Sequence, residues 1–234
     1  MGHFLHVFFS PLDFLRAVPQ VWEGFKVNLK IMFVAEAFVL VLALLVAIVR
    51  GLPGRAAAPL RGAAILYTDI FRGTPLILVL FMVQGFATLN YLGLSSGSLF
   101  TNAVIALTLV YTAYVTEVFR AGIESVHPSQ RMAARSLGLS YMQTMRYVVL
   151  PQAVRRVIPP LLNDFVGLQK DTALVYVIGV FEGVSQAEQY SSDNFNYAGL
   201  AVAAVFFIFL TIPLARFTDH IIKQRERRER AQVV

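Results

Sequence analysis

The sequence predicts an all-α integral membrane protein with five transmembrane helices and a short cytoplasmic loop of two small helices. Three observations predict it. Hydrophobic residues make up 57% of the 234 residues and charged ones only 15%, against about 45–50% and about 25% in soluble domains. Apolar stretches long enough to cross a bilayer recur five times. Basic residues gather in the intervals on one side of those stretches and are nearly absent from the other.

Residues 4–25 are apolar and aromatic but contain Pro11 and Pro19. No small-residue cleavage site follows a basic region, so no cleaved signal peptide is predicted. Residues 1–26 read instead as an amphipathic element on the outer membrane surface, with Trp22, Phe25 and Lys26 at headgroup level. Residues 31–49 carry one charge, Glu36, and extend about 28 Å as a helix, enough to cross a bilayer core. Further spans are predicted at residues 63–86, 103–119, 157–180 and 198–214, inside a transmembrane domain of residues 27–217. A basic tail, residues 218–234, follows.

Orientation comes from the lysines and arginines. One side collects Arg50, Arg55, Arg61, Arg120, Arg131, Arg135, Arg146, Arg155, Arg156, Arg216, Lys223, Arg225, Arg227, Arg228 and Arg230; the other has Arg16, Lys26 and Lys30. Positive charge stays cytoplasmic, so the amino terminus is expected outside and the carboxy terminus inside. The isoelectric point near 9.8 thus reflects topology, and no nucleic-acid partner is expected. The chain has no cysteine, hence neither disulfides nor thiolate metal sites. Its four histidines, His3, His6, His127 and His220, lack metal-ligand spacing.

The loop at about residues 124–151 lies on the cytoplasmic side. Ser129 is expected to cap a first helix that ends in a left-handed turn at Gly138, and Ser140 a second that stops near Pro151. The pattern Ala133-Ala134, three residues, Gly138, nine residues, Val148-x-Leu150-Pro151 resembles the cytoplasmic signature of binding-protein-dependent ATP-binding-cassette (ABC) importer permeases. Met132 stands where that family usually has Glu, and Val148 where it has Ile. Residues 71–76 (Phe-Arg-Gly-Thr-Pro-Leu), Pro151-Gln152-Ala153 and residues 168–174 (Leu-Gln-Lys-Asp-Thr-Ala-Leu) resemble its polar amino-acid branch, of the histidine, glutamate, glutamine or arginine type.

The resemblance implies a type I importer permease fold in a bacterial cytoplasmic (inner) membrane. It also implies a loop coupling to the ATPase through Met132, Ala133, Ala134, Gly138, Leu150 and Pro151. Implied partners are two ABC ATPase subunits, a second permease copy or a homologous permease, an extracytoplasmic amino-acid-binding protein and membrane lipid. No phosphate-cradling Gly-x-x-x-x-Gly-Lys-Ser/Thr exists in the chain. No cofactor is therefore expected on it; ATP and Mg would sit on the partner ATPase, and the chain is expected to be a transport subunit, not an enzyme.

The fourth span carries Asn163, Asp164, Lys170 and Asp171. A central charge costs about 2.5–3.5 kcal/mol on insertion scales, so none of them is expected to face lipid. With Gly167 they fall on an arc of roughly 120° at 100° per residue. Two roles fit this arc: Asn163 and Asp164 line the translocation path and meet substrate, whereas Lys170 and Asp171 neutralise neighbouring groups and knit helices together. Glu36 fits either a path-lining or an interhelical role. Arg72 is expected to pair with Asp69 beside a kink at Gly73-Thr74-Pro75, and Glu117 with Arg120 to brace the loop. The alternative function is an ion-coupled secondary transporter or channel subunit. No His-Glu-x-x-His or Gly-x-Ser-x-Gly supports a hydrolase.

Overall fold

The computed structural model describes residues 10–52, 54–88 and 98–231, with side chains described as far as residue 224. No strand occurs among these residues. The helices are α1 (Pro11–Arg50), α2 (Ala58–Gly73), α3 (Leu76–Thr88), α4 (Leu99–Glu124), α5 (Pro128–Ser136), α6 (Tyr141–Thr144), α7 (Leu150–Asp171), α8 (Gly183–Asp193) and α9 (Ala198–Ala231). A π-turn, Met145–Val149, joins α6 to α7, and a 3-10 helix, Thr172–Ile178, follows α7.

Helix α1 corrects the expectation of a separate surface element. Its 40 residues run unbroken through Pro19, so residues 11–26 belong to the first spanning helix; residues 1–9 lie outside the described residues. Pro11 sits in the first turn, where a missing N–H was unpaired anyway. Pro19 deprives only the carbonyl of Leu15, a residue 68% exposed, and packing outweighs that local loss. Ala17 and Val21 are buried against Ala187 and Tyr190 of α8 and Ala198 and Val202 of α9. A Cβ at Gly24 would lie 2.5 Å from the backbone oxygen of Glu182, so only glycine lets α8 begin this close to α1.

The second span is broken more sharply than the expected kink. Helices α2 and α3 meet at 111°. Thr74, preceding Pro75, leaves the helical region at φ −99°, ψ 127°, the extended conformation that proline's ring imposes on the residue before it. The Thr74 hydroxyl donates to Ile70 O at 2.8 Å and satisfies one carbonyl that the break frees.

Helices α1, α4 and α9 are each long and apolar enough to cross a membrane, and the bent α2–α3 pair makes a fourth crossing if it is one span. Helix α7 is more polar, yet its 22 residues extend about 33 Å. It packs against α4 and α9 and supplies the fifth. The main core joins Ile31, Met32, Ala35, Val39 and Ala43 of α1 to Ala103, Ala106, Leu107, Val110 and Val115 of α4. Its alanines let the two backbones approach closely, as helices within lipid must in order to gain packing energy.

Candidate functional site

At the cytoplasmic signature the chain builds a small helical lobe. Pro128 takes the first position of α5, which moves the cap upstream of the expected Ser129: His127 Nδ1 accepts from Ser129 N at 3.2 Å. At the other end Gly138 has φ +84°. Gly138 N donates to Arg135 O at 3.0 Å and Leu139 N to Ala134 O at 3.2 Å, the two bonds of a Schellman closure. Ser140 caps α6 as expected, in a reciprocal box with Gln143.

The second helix does not stop at Pro151. It passes through the π-turn into α7, with Leu150 N bonding Met145 O, and the widened turn makes room for the proline ring just inside α7. The lobe is fixed to α4 by Arg131 Nη2, which donates to Ile123 O at 2.6 Å, and by Arg156, which donates to Ser125 O. Val126, Val149 and Ala153 form its apolar base. Of the residues expected at the coupling surface, Met132 is 63% exposed and Leu150 39%, and Ala133, Gly138 and Pro151 are exposed. Ala134 turns inward at 5%, and Leu137, Tyr141 and Met142 stand out instead.

Above the lobe, Glu117 gathers three arginines. Arg120 Nε donates to it at 2.8 Å, Arg50 also donates to it, and Arg72 Nη1 lies 3.7 Å away. Arg120 also bonds Glu124. The expected Glu117–Arg120 pair is present, but the Asp69–Arg72 pair is not: Asp69 is exposed and Arg72 turns to α4, where Tyr114 Oη also meets its backbone oxygen at 3.4 Å. What draws Arg72 there is the Glu117 carboxylate, which is largely shielded from solvent. The three arginines tie α1, α2 and α4 to one carboxylate.

The polar arc of α7 splits into two lines. Asn163 and Lys170 are exposed on the helix surface. Asp164, Gly167 and Asp171 turn toward Tyr111 of α4: a Cβ on Gly167 would lie 3.1 Å from the Tyr111 hydroxyl, and that hydroxyl donates to Asp171 Oδ2 at 2.8 Å. Asp171 is thus held by Tyr111, and among the described residues Lys170 is in no ion pair within 4.0 Å. Asp164 Oδ2 is buried and accepts no hydrogen bond. Glu36 is close enough for its charge to interact with that of Asp164. Phe33, three residues before Glu36, and Phe165, next to Asp164, meet at 6.2 Å between ring centroids with their planes tilted by 45°. The structure therefore brings Glu36 and Asp164 together, half-buried, with no cation paired to either among the described residues.

A third polar cluster was not anticipated from sequence. Asn28 Nδ2 donates to Glu182 Oε2 at 2.8 Å and to Thr172 O at 3.1 Å, while its Oδ1 accepts from Gly183 N at 2.8 Å. Glu182, fully buried, caps α8 by accepting from Val184 N and Ser185 N. Burial pushes its carboxyl up from the usual range against these three donors. The cluster pins the turn after α7 onto α1. Its partners lie more than a hundred residues apart, so no local pattern announces it.

Comparison with known proteins agrees with this architecture. The family described as binding-protein-dependent transport system inner membrane component matches residues 40–227. The arginine transport system permease protein ArtQ of Bacillus subtilis is 32% identical over 217 residues, covering 92% of this chain and 97% of ArtQ. The glutamine transport system permease protein GlnP of Escherichia coli is 33% identical over 213 residues, covering 91% and 94%. A crystal structure of an amino acid ABC transporter with histidines superposes at a TM-score of 0.83 with 30% identity, covering 91% of this chain and 97% of that one. The inward-facing MetNI methionine ABC transporter shares the fold at a TM-score of 0.71 and 23% identity. The chain belongs to the binding-protein-dependent transport system inner membrane components, as a permease of the polar amino-acid ABC importer type.

Proposed function

We propose that this permease moves a polar or charged amino acid inward, driven by ATP hydrolysed on a separate subunit, and that the lobe of α5 and α6 transmits the stroke. The observation that carries the substrate side is the half-buried pair Glu36 and Asp164 without a paired cation. Such a pair favours a ligand that brings an ammonium or guanidinium group, because a cation relieves both the charge repulsion and the unmet acceptor. Asn163, one residue along, adds a neutral donor and acceptor. On the ATPase side, α5 and α6 present Met132, Leu137, Tyr141 and Met142 among Arg131, Arg135 and Arg146, with no acidic residue between Glu124 and Asp164. Such a surface suits a partner groove that is apolar with a carboxylate rim. Glu117 and its arginines join the lobe's root to α1 and α2, so a push on the lobe reaches the helices that flank the path.

The direct test is uptake into vesicles containing the assembled complex and trapped ATP, with all ion gradients collapsed. Uptake is expected to persist; uptake that needs an ion gradient and ignores ATP would overturn the reading. Orientation is checked by cysteine labelling in this cysteine-free chain: Ser136→Cys is expected to react only from the cytoplasm and Ser192→Cys only from outside.

Gly138→Val tests the lobe. A Cβ there meets nothing within 4 Å, so the whole cost is the left-handed backbone at φ +84°, about 1–2 kcal/mol. That is enough to unseat the turn between α5 and α6 without unfolding the spans. The variant is expected to reach the membrane in normal amount and hydrolyse ATP while losing most uptake; Gly138→Ala is expected to lose less.

A further inference from the structure

Among the described residues four have positive φ: Gly54, Gly138, Gly179 and Phe195. Glycine fills three of these positions for the usual reason, the absence of a Cβ. Phe195 sits at φ 51°, and its helix end has the same form as that at Gly138. After α8, Asn194 N donates to Tyr190 O and Asn196 N donates to Ser191 O, both at 3.1 Å. The second bond closes five residues back, as Leu139 N does on Ala134 O after α5. Helix ends of this kind call for glycine in the left-handed position. The chain supplies an aromatic residue instead, and it gains no packing in return among the described residues, because Phe195 is 95% exposed.

Two unfavourable features therefore meet at one residue, backbone strain and an exposed aromatic ring, and nothing among the described residues offsets either. The turn itself is well built: Asn194 Nδ2 donates to Tyr190 O at 2.9 Å, and Ala198 N donates to Asn196 Oδ1 at 3.0 Å. The ring is thus held out at a fixed place. It lies at the far end of α7 from the α5–α6 lobe, beyond the 3-10 helix and α8. Exposed Glu188 and Asp193 accompany it on α8, and neither is in an ion pair among the described residues.

We propose that Phe195 is an aromatic docking finger for the extracytoplasmic solute-binding protein on which this family depends, entering an apolar pocket with a basic rim on that protein. The inference rests on the importer reading above. A fluid bilayer accepts an aromatic ring at any nearby position and so gives no reason to hold one in a strained turn, whereas a folded partner with one pocket does. The acidic residues beside the finger match basic groups on a soluble partner and would be repelled by anionic headgroups.

The test uses the complete transporter in nanodiscs with its solute-binding protein, supplied with a mixture of the twenty amino acids. Phe195→Gly restores the residue the turn calls for. It is expected to leave thermal stability equal or higher and basal ATPase unchanged, while the binding-protein concentration for half-maximal ATPase stimulation rises about tenfold, the usual scale for removing an aromatic anchor. Phe195→Tyr is expected to stay within about twofold of wild type. Unchanged stimulation of Phe195→Gly overturns the proposal. So does a loss of basal activity that is equal with and without the binding protein, which would assign the ring to the membrane. A wild-type complex indifferent to its binding protein would instead sink the importer reading, and this inference with it.

Discussion

Glu117→Ala is expected to remove most of the assembled transporter from the membrane fraction. Glu117 is the anion shared by Arg50, Arg72 and Arg120, and the Arg50 side chain is only 12% exposed. Taking away the carboxylate leaves Arg50 as an uncompensated charge between α1 and α4, a defect typically worth about 3–5 kcal/mol, against a whole-domain stability of about 5–15 kcal/mol. The ion pair need not be a large net stabiliser for this to hold, since the penalty belongs to the orphaned partner. Replacing both residues, Arg50→Met with Glu117→Leu, is therefore expected to recover much of the lost yield while leaving uptake impaired, because Arg72 and Arg120 lose their anchor. Yield of the purified complex for Glu117→Ala and for the double variant decides it. A Glu117→Ala complex as abundant as wild type would show that the arginines find other partners or water.

The same carboxylate shows what local sequence reveals and what it does not. Glu117 and Arg120 are three residues apart on one helix, and their pairing is legible without a structure. Arg50 and Arg72 come from other helices, and no periodicity places them at Glu117; Asp69, at the right spacing, drew the expectation for Arg72 and turned out exposed. The spans were legible because a bilayer requires long apolar runs. Pro19 misled because its penalty is local, whereas the packing of Ala17 and Val21 that keeps α1 helical comes from α8 and α9. Gly73-Thr74-Pro75 announced a break, but its 111° angle depends on what α2 and α3 each pack against. In the lobe, the Ala-Ala-Gly spacing marked the turn at Gly138, while burial reversed part of the contact list by turning Ala134 inward and exposing Leu137. Phe195 left no trace at all in the sequence, since nothing there marks a left-handed position that glycine does not occupy.

Asp164→Asn is expected to abolish most uptake while leaving assembly and basal ATPase near wild type. Among the described residues no group donates to Asp164 Oδ2 and no cation pairs with it, so neutralising it orphans no partner. The change even relieves its repulsion with Glu36. What it deletes is attraction for an incoming cation. A charge-assisted contact contributes about 1.5–3 kcal/mol, which corresponds to a loss of roughly tenfold to a hundredfold in apparent affinity. Asp171→Asn is the control on the same helix line, two turns away. Its partner is the Tyr111 hydroxyl at 2.8 Å, a donor that an Asn oxygen accepts equally well, so yield is expected to stay near wild type and uptake to fall by no more than about threefold, the equivalent of under 1 kcal/mol. Both variants, reconstituted with trapped ATP and supplied with radiolabelled arginine, glutamine and histidine in parallel, give yield and uptake together. Should Asp164→Asn fail to assemble while Asp171→Asn assembles and stops transporting, the substrate-facing and structural roles belong to the opposite carboxylates.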